Sequence, residues 1–125
     1  MKPVTVIRRE HFNAAHRLHN PDLDDATNKK IFGKCNNQYF HGHNYDLDVM
    51  VSGEIDHKTG YLIDMKLLSG LIKSEVLDYM DHKNLNIEVE EFKDLNPTAE
   101  NIAFVIHNRI SLKLPNNLNL KIRLY

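Results

Sequence analysis

The order of the sequence elements predicts an α+β domain. Strand-like runs come first, at residues 3–16 and 44–55, two amphipathic helical segments follow, and an alternating run closes the chain at 118–125. Strands and helices that come in separate blocks segregate in space, whereas a doubly wound fold would interleave them. At 125 residues the chain suits one domain with a modest core.

Each element has its own signal. Val4-Thr5-Val6-Ile7 opens the first strand with β-branched residues, and the run ends on His16, with a bulge expected near Asn13-Ala14-Ala15. Residues 17–40 begin with the turn chemistry of Asn20-Pro21-Asp22 and stay polar through Asp24, Asp25, Asn28, Lys29 and Lys30. With Gly33 they predict a long connection holding at most a short helix, and loops of that length tend to be functional. This one delivers Cys35. Tyr45-Asp46-Leu47-Asp48-Val49-Met50-Val51 alternates apolar with polar, as a half-buried strand does.

Asp56 to Gly60 reads as a turn. Asp64 can cap a helix running to about Met80, with Leu67, Leu68, Leu71, Ile72 and Leu77 as its apolar face. Asp81 to Asn86 is a polar exit, and residues 87–96 are acidic and loop-like. Pro97, Thr98 and Glu100 open a second helix to about Leu112, with a stripe of Ile102, Val105 or Ile106, and Ile110. Pro115-Asn116-Asn117 turns the chain into the last strand, whose antiparallel partner would be expected after Tyr125.

Composition narrows the function classes. A net charge of −1 offers no global field for nucleic acid. One cysteine excludes an internal disulfide. The N-terminal apolar run is too short for a signal peptide, and no stretch approaches a membrane span. A cytoplasmic protein is the default expectation.

The chemistry gathers in Cys35 to Tyr45. On a strand His41 and His43 point to one face, because successive side chains alternate, and Gly42 is expected to keep bulk away between them. An antiparallel partner strand would bring His16 beside them. Three imidazoles with a fourth position open is the pattern of a catalytic zinc, whereas a structural zinc is closed by four protein ligands. His-Gly-His alone is a weak signal in a chain with eight histidines. Cys35, flanked by Lys34, Asn36 and Asn37, is poorly placed to be a buried hydrophobe. Asp81-His82 fits a helix C-terminus, where a histidine suits the dipole, as well as it fits an acid–base pair. For Arg17, Lys30 and Lys34 a solvated loop face is the favoured reading over an anion site. His11, His19, His57 and His107 read as surface or packing residues.

Taken together, Phe12-x-Ala14-Ala15-His16, Phe32-Gly33-Lys34-Cys35-Asn36-Asn37, His41-Gly42-His43-Asn44-Tyr45, the run Leu77 to Leu85 and Asn96-Pro97-Thr98-Ala99-Glu100-Asn101 resemble the 6-pyruvoyltetrahydropterin synthase family, which includes the 6-carboxytetrahydropterin synthases of queuosine synthesis. The likeness runs over nearly the whole chain. It implies a single T-fold domain over 1–125: an antiparallel sheet with two helices on one face, joined with others into a barrel in a trimer or hexamer. Such an assembly would also cover the sheet edges of a lone subunit.

The resemblance implies zinc on His16, His41 and His43, a catalytic Cys35, and an Asp81–His82 pair acting across a subunit interface. Thr98 and Glu100 match positions near the pterin pocket. The family's pterin-holding glutamate falls just after Tyr125, so a C-terminal strand is expected beyond the chain. The implied substrate is 7,8-dihydroneopterin triphosphate, a small molecule, with no role for nucleic acid or membrane. The implied reaction eliminates triphosphate and moves protons along the side chain. The five residues between Cys35 and His41 favour the pyruvoyl branch. The alternatives are a 6-carboxy synthase releasing acetaldehyde, and a pterin-binding T-fold without catalysis.

Overall fold

The computed structural model describes residues 2–125. Its frame is a pair of long antiparallel strands, β1 (Val4–His16) and β2 (His41–Gly53). Their register runs without interruption from Val4 opposite Gly53 to His16 opposite His41. The expected bulge near Asn13 is therefore absent. Asn13 and Ala15 face one side and Ala14 the other, and the Asn13 amide donates to the Asn44 side-chain oxygen at 2.7 Å, which ties the strands where a bulge would part them.

The connection between them holds α1 (Asp25–Phe32), started by Asp24 accepting the Thr27 N–H, then a 3-10 turn over Gly33–Asn36. Gly33 stops α1 at φ 56°, a left-handed conformation open to glycine. The second long connection carries α2 (Met65–Ile72), a π-turn (Lys73–Leu77) and α3 (Asp78–Met80) as one continuous rod. After the two-residue β3 (Lys83–Asn84) come α4 (Leu85–Glu88) and a 3-10 turn (Glu90–Lys93), where a loop was expected. The chain ends with α5 (Ala99–Ser111) and β4 (Asn119–Leu124).

The strand order is β3-β1-β2-β4. The three long strands are antiparallel, and β3 adds a short parallel pairing to Ala14 and Ala15. One face of the sheet, with Phe12, Ala14, Tyr45, Leu47, Val49 and Val51, packs on the α2–α3 rod and α5 to form the core. The rod buries Leu68, Ile72, Val76 and Met80, while Leu67, expected on the apolar face, is 61% exposed. A strict four-residue spacing drifts about 40° per step on an α-helix. The π-turn, with more residues per turn, takes up that drift. Arg109 braces it, donating to the Glu75 carbonyl at 3.2 Å while gripping Glu91 through two bonds of 2.6 and 2.7 Å. In α5 the buried stripe is Ile102, Val105, Ile106 and Ile110.

Among the described residues no helix covers the other sheet face, where Thr5, Ile7, Arg9, His11 and Asn13 of β1 are exposed. There the Asp48 carboxylate, its side chain 2% exposed, is held by Arg9 from β1 and Arg123 from β4 at 2.7 and 2.9 Å. The two guanidinium groups also flank the Tyr125 ring. They hold Asp48 well below the usual carboxylate range.

Candidate metal centre

The site follows from the strand register. On the core face β1 presents Phe12, Ala14 and His16, and β2 presents Tyr45, His43 and His41 directly opposite. Ala14, the small member, leaves room for rings to lean over it. His16 thus reaches both partners, with ring centroids 4.9 Å from His41 and from His43, and His41 lies 4.5 Å from His43. Cys35 arrives from the loop, and ligating atoms of His16, Cys35, His41 and His43 all lie within 4.8 Å of one another. Gly42 faces the opposite side, and a Cβ there would meet nothing closer than 3.7 Å. The space between the ligands therefore comes from Ala14, not from Gly42 as the sequence suggested.

The loop reaches this position on a scaffold of asparagines. Asn28, fully buried, accepts the Asn20 N–H and donates to the carbonyls of Asn20, Leu23 and Asp24. Asn36 donates to the Leu18 carbonyl, and the Leu18 N–H donates to the Cys35 carbonyl at 2.7 Å. Asn86 pairs with both backbone groups of Arg17. The Asn96 side chain accepts the His19 N–H. Asn36, Asn86 and Asn96 carry no local signal of function, because their partners lie far away in the chain.

The donor set fits a metal ion. The His16 Nδ1 lies 2.8 Å from the Pro97 carbonyl, which can only accept, so Nδ1 carries the proton and Nε2 the lone pair. Among the described residues the buried side-chain polar atoms without a partner are His16 Nε2, His41 Nδ1 and the Tyr45 hydroxyl, all on this patch. Burial, then repulsion by neighbouring rings, lowers the pKa of His16 and His41, although the Pro97 contact works against this at His16. Neutral imidazoles are the form that ligates a cation. Burial, and secondly the charge of a Cys35 thiolate, push Tyr45 up to about 12.

The other expected site residues lie outside this cluster. Asp81 accepts the Asn13 N–H at 3.0 Å and contacts His82 Nδ1 at 3.0 Å. The Asn13 N–H, first, and His82 lower the Asp81 pKa. The His82 backbone takes φ 60° and donates to the Asn13 carbonyl at 2.6 Å, which leaves its side chain 83% exposed. Thr98 caps α5 by accepting the Asn101 N–H, next to the Pro97 that touches His16, and Glu100 is exposed on the first turn. A cleft of about 960 Å³ opens beside His41, lined by Arg17, Lys29, Lys34 and Tyr39. Lys29, not Lys30, supplies its third cation.

The family model described as 6-pyruvoyl tetrahydropterin synthase matches residues 5–125. The chain is 45% identical over 114 residues to a 6-pyruvoyl tetrahydrobiopterin synthase of Drosophila melanogaster, covering 90% of this chain and 68% of that one. It is 41% identical to the Homo sapiens protein of the same name, covering 96% and 83%. The structure of Caenorhabditis elegans 6-pyruvoyl tetrahydropterin synthase superposes with a TM-score of 0.88 at 39% identity, over 100% of this chain and 96% of that one. The α+β architecture is thus the expected T-fold. With the histidine row on this fold and the match running from Thr5 to Tyr125, the chain belongs to the 6-pyruvoyl tetrahydropterin synthase family.

Proposed function

We propose that the protein is a zinc-dependent lyase that converts 7,8-dihydroneopterin triphosphate to 6-pyruvoyl-tetrahydropterin with loss of triphosphate. The observation that carries this is the convergence of His16, Cys35, His41 and His43 within 4.8 Å on a T-fold. The three histidines would hold the zinc, which when bound polarises the side-chain oxygens and stabilises negative charge on them.

The chain's own residues do the rest. Cys35, held by its carbonyl, takes the proton from a carbon beside a hydroxyl, as a general base must from hydrogen-bond reach. Arg17, Lys29 and Lys34 along the cleft hold the triphosphate. Thr98 keeps its hydroxyl hydrogen free to donate to the pterin, and Glu100 borders the same helix start. Asp81 orients His82 as a proton relay. The exposure of His82 outside the metal cluster suits a site completed by a second subunit. The uncovered sheet face and the edge strands β3 and β4 support a barrel of joined sheets, as a trimer or a stacked hexamer.

The assay is mass spectrometry of products from zinc-loaded protein and dihydroneopterin triphosphate. The proposal expects the pyruvoyl product. Carboxytetrahydropterin with acetaldehyde would assign the 6-carboxy branch instead, and turnover unchanged by Cys35→Ala would remove the proposed base.

A further inference from the structure

We propose that Tyr45 is a further catalytic residue, whose hydroxyl donates a hydrogen bond to an oxygen of the pterin's C6 side chain. This rests on the pterin reading above.

A buried tyrosine ordinarily places its O–H on a partner. Tyr45 is 5% exposed, yet its hydroxyl has none. Its ring is fixed by stacking on Phe12 at 5.0 Å, and its edge-on neighbours are His43 at 5.9 Å and His16 at 6.5 Å. It continues the row of His41 and His43 on the same face of β2. The ring is therefore fixed beside the histidine row, and its hydroxyl is enclosed without a hydrogen-bond partner.

The other two unpartnered atoms there, His16 Nε2 and His41 Nδ1, are ring nitrogens. Lone pairs on such nitrogens serve a cation. The Tyr45 hydroxyl brings a hydrogen, because a phenol is protonated near neutrality. A cation cannot satisfy it, and it forms no hydrogen bond with Cys35 in this arrangement. What the site lacks is an acceptor oxygen close to the metal ligands. The hydroxyl-bearing side chain of the substrate supplies one, and the donor strengthens its bond as negative charge develops there.

The test is Tyr45→Phe in the zinc-loaded protein, which removes one oxygen and retains the stack on Phe12. Neopterin, with a hydroxylated side chain, is compared with 6-methylpterin, which has none, by calorimetric titration. The expected result is a neopterin Kd weakened about 3- to 10-fold with 6-methylpterin unchanged. Turnover of dihydroneopterin triphosphate should fall about 100-fold at unchanged zinc content. Equal neopterin affinity in parent and variant overturns the assignment of Tyr45 and leaves the pterin reading standing. Parallel loss of both ligands also overturns it, since the effect would then be structural. Failure of the parent to bind neopterin at all removes the pterin reading, and this inference with it.

Discussion

The Pro97 carbonyl lies 2.8 Å from His16 Nδ1 and so decides which nitrogen of His16 faces the other histidines. A contact between the end of β1 and the start of α5 thereby sets the tautomer of a candidate ligand. Second partners of this kind usually change metal affinity by about 10- to 100-fold. Removal of a ligand itself does more. His41→Ala is expected to lose most of its zinc, measured by elemental analysis after dialysis against a weak chelator. Full occupancy in that variant would refute the ligand assignment.

Cys35 is anchored through its backbone carbonyl, so its side chain can be cut back without releasing the loop. Cys35→Ala should keep its zinc and its unfolding midpoint while turnover falls by about 10²- to 10⁴-fold, the usual contribution of a general base. Loss of zinc in parallel with activity would make Cys35 a ligand instead.

Asn28 holds the same loop from within, accepting one bond and sharing the two hydrogens of its amide among three carbonyls. Asn28→Ala should leave the Leu23 carbonyl and the Asn20 N–H without their side-chain partner and raise amide hydrogen exchange across residues 18–36. The expected pattern is a large fall in turnover with amides of β2 still protected. Uniform loss of protection would show that the loop and the sheet unfold together.

Asp48 provides a pH test. Its carboxyl pKa is depressed in the folded chain by Arg9 and Arg123, so folding binds fewer protons there than the unfolded chain does. The sign follows from linkage. This stabilisation is complete above the ordinary carboxylate value of about 4 and is lost as pH falls toward the lower folded value. The parent's urea midpoint should therefore drop on acidification more steeply than that of Asp48→Asn, and the two should converge. A gap that stays constant into strong acid would contradict the role given to this pair of arginines.

The open sheet face gives a last prediction. The protein should elute well above its 14.6 kDa chain mass in size-exclusion chromatography with light scattering. A fully active monomer would refute the shared-site reading of His82.

Much of this was legible locally. Strand alternation placed His41 and His43 together and should also have singled out Tyr45, two residues further along the same face. Antiparallel pairing added His16, Asp64 marked the first long helix as its cap, and Pro97, Thr98 and Glu100 marked the opening of the second. These features depend on neighbours within a few residues, which a periodicity records. Of the stripe expected for the first helix, Leu68 and Ile72 are buried and Leu71 and Leu77 pack on the core, Leu67 alone being exposed, while the π-turn, braced by Arg109 from another helix, brings Val76 and Met80 inward as well. The straight pairing of β1, the role of Ala14 rather than Gly42, and the asparagine scaffold under Cys35 were hidden. By itself the sequence determined the element order and which residues share a strand face, since backbone geometry repeats every two or 3.6 residues. The tertiary structure decided the His16 tautomer, the seat of Cys35 and the separation of Asp81–His82 from the metal centre. Those depend on contacts such as His16 with Pro97 and Asn13 with Asp81, between residues that only folding brings together.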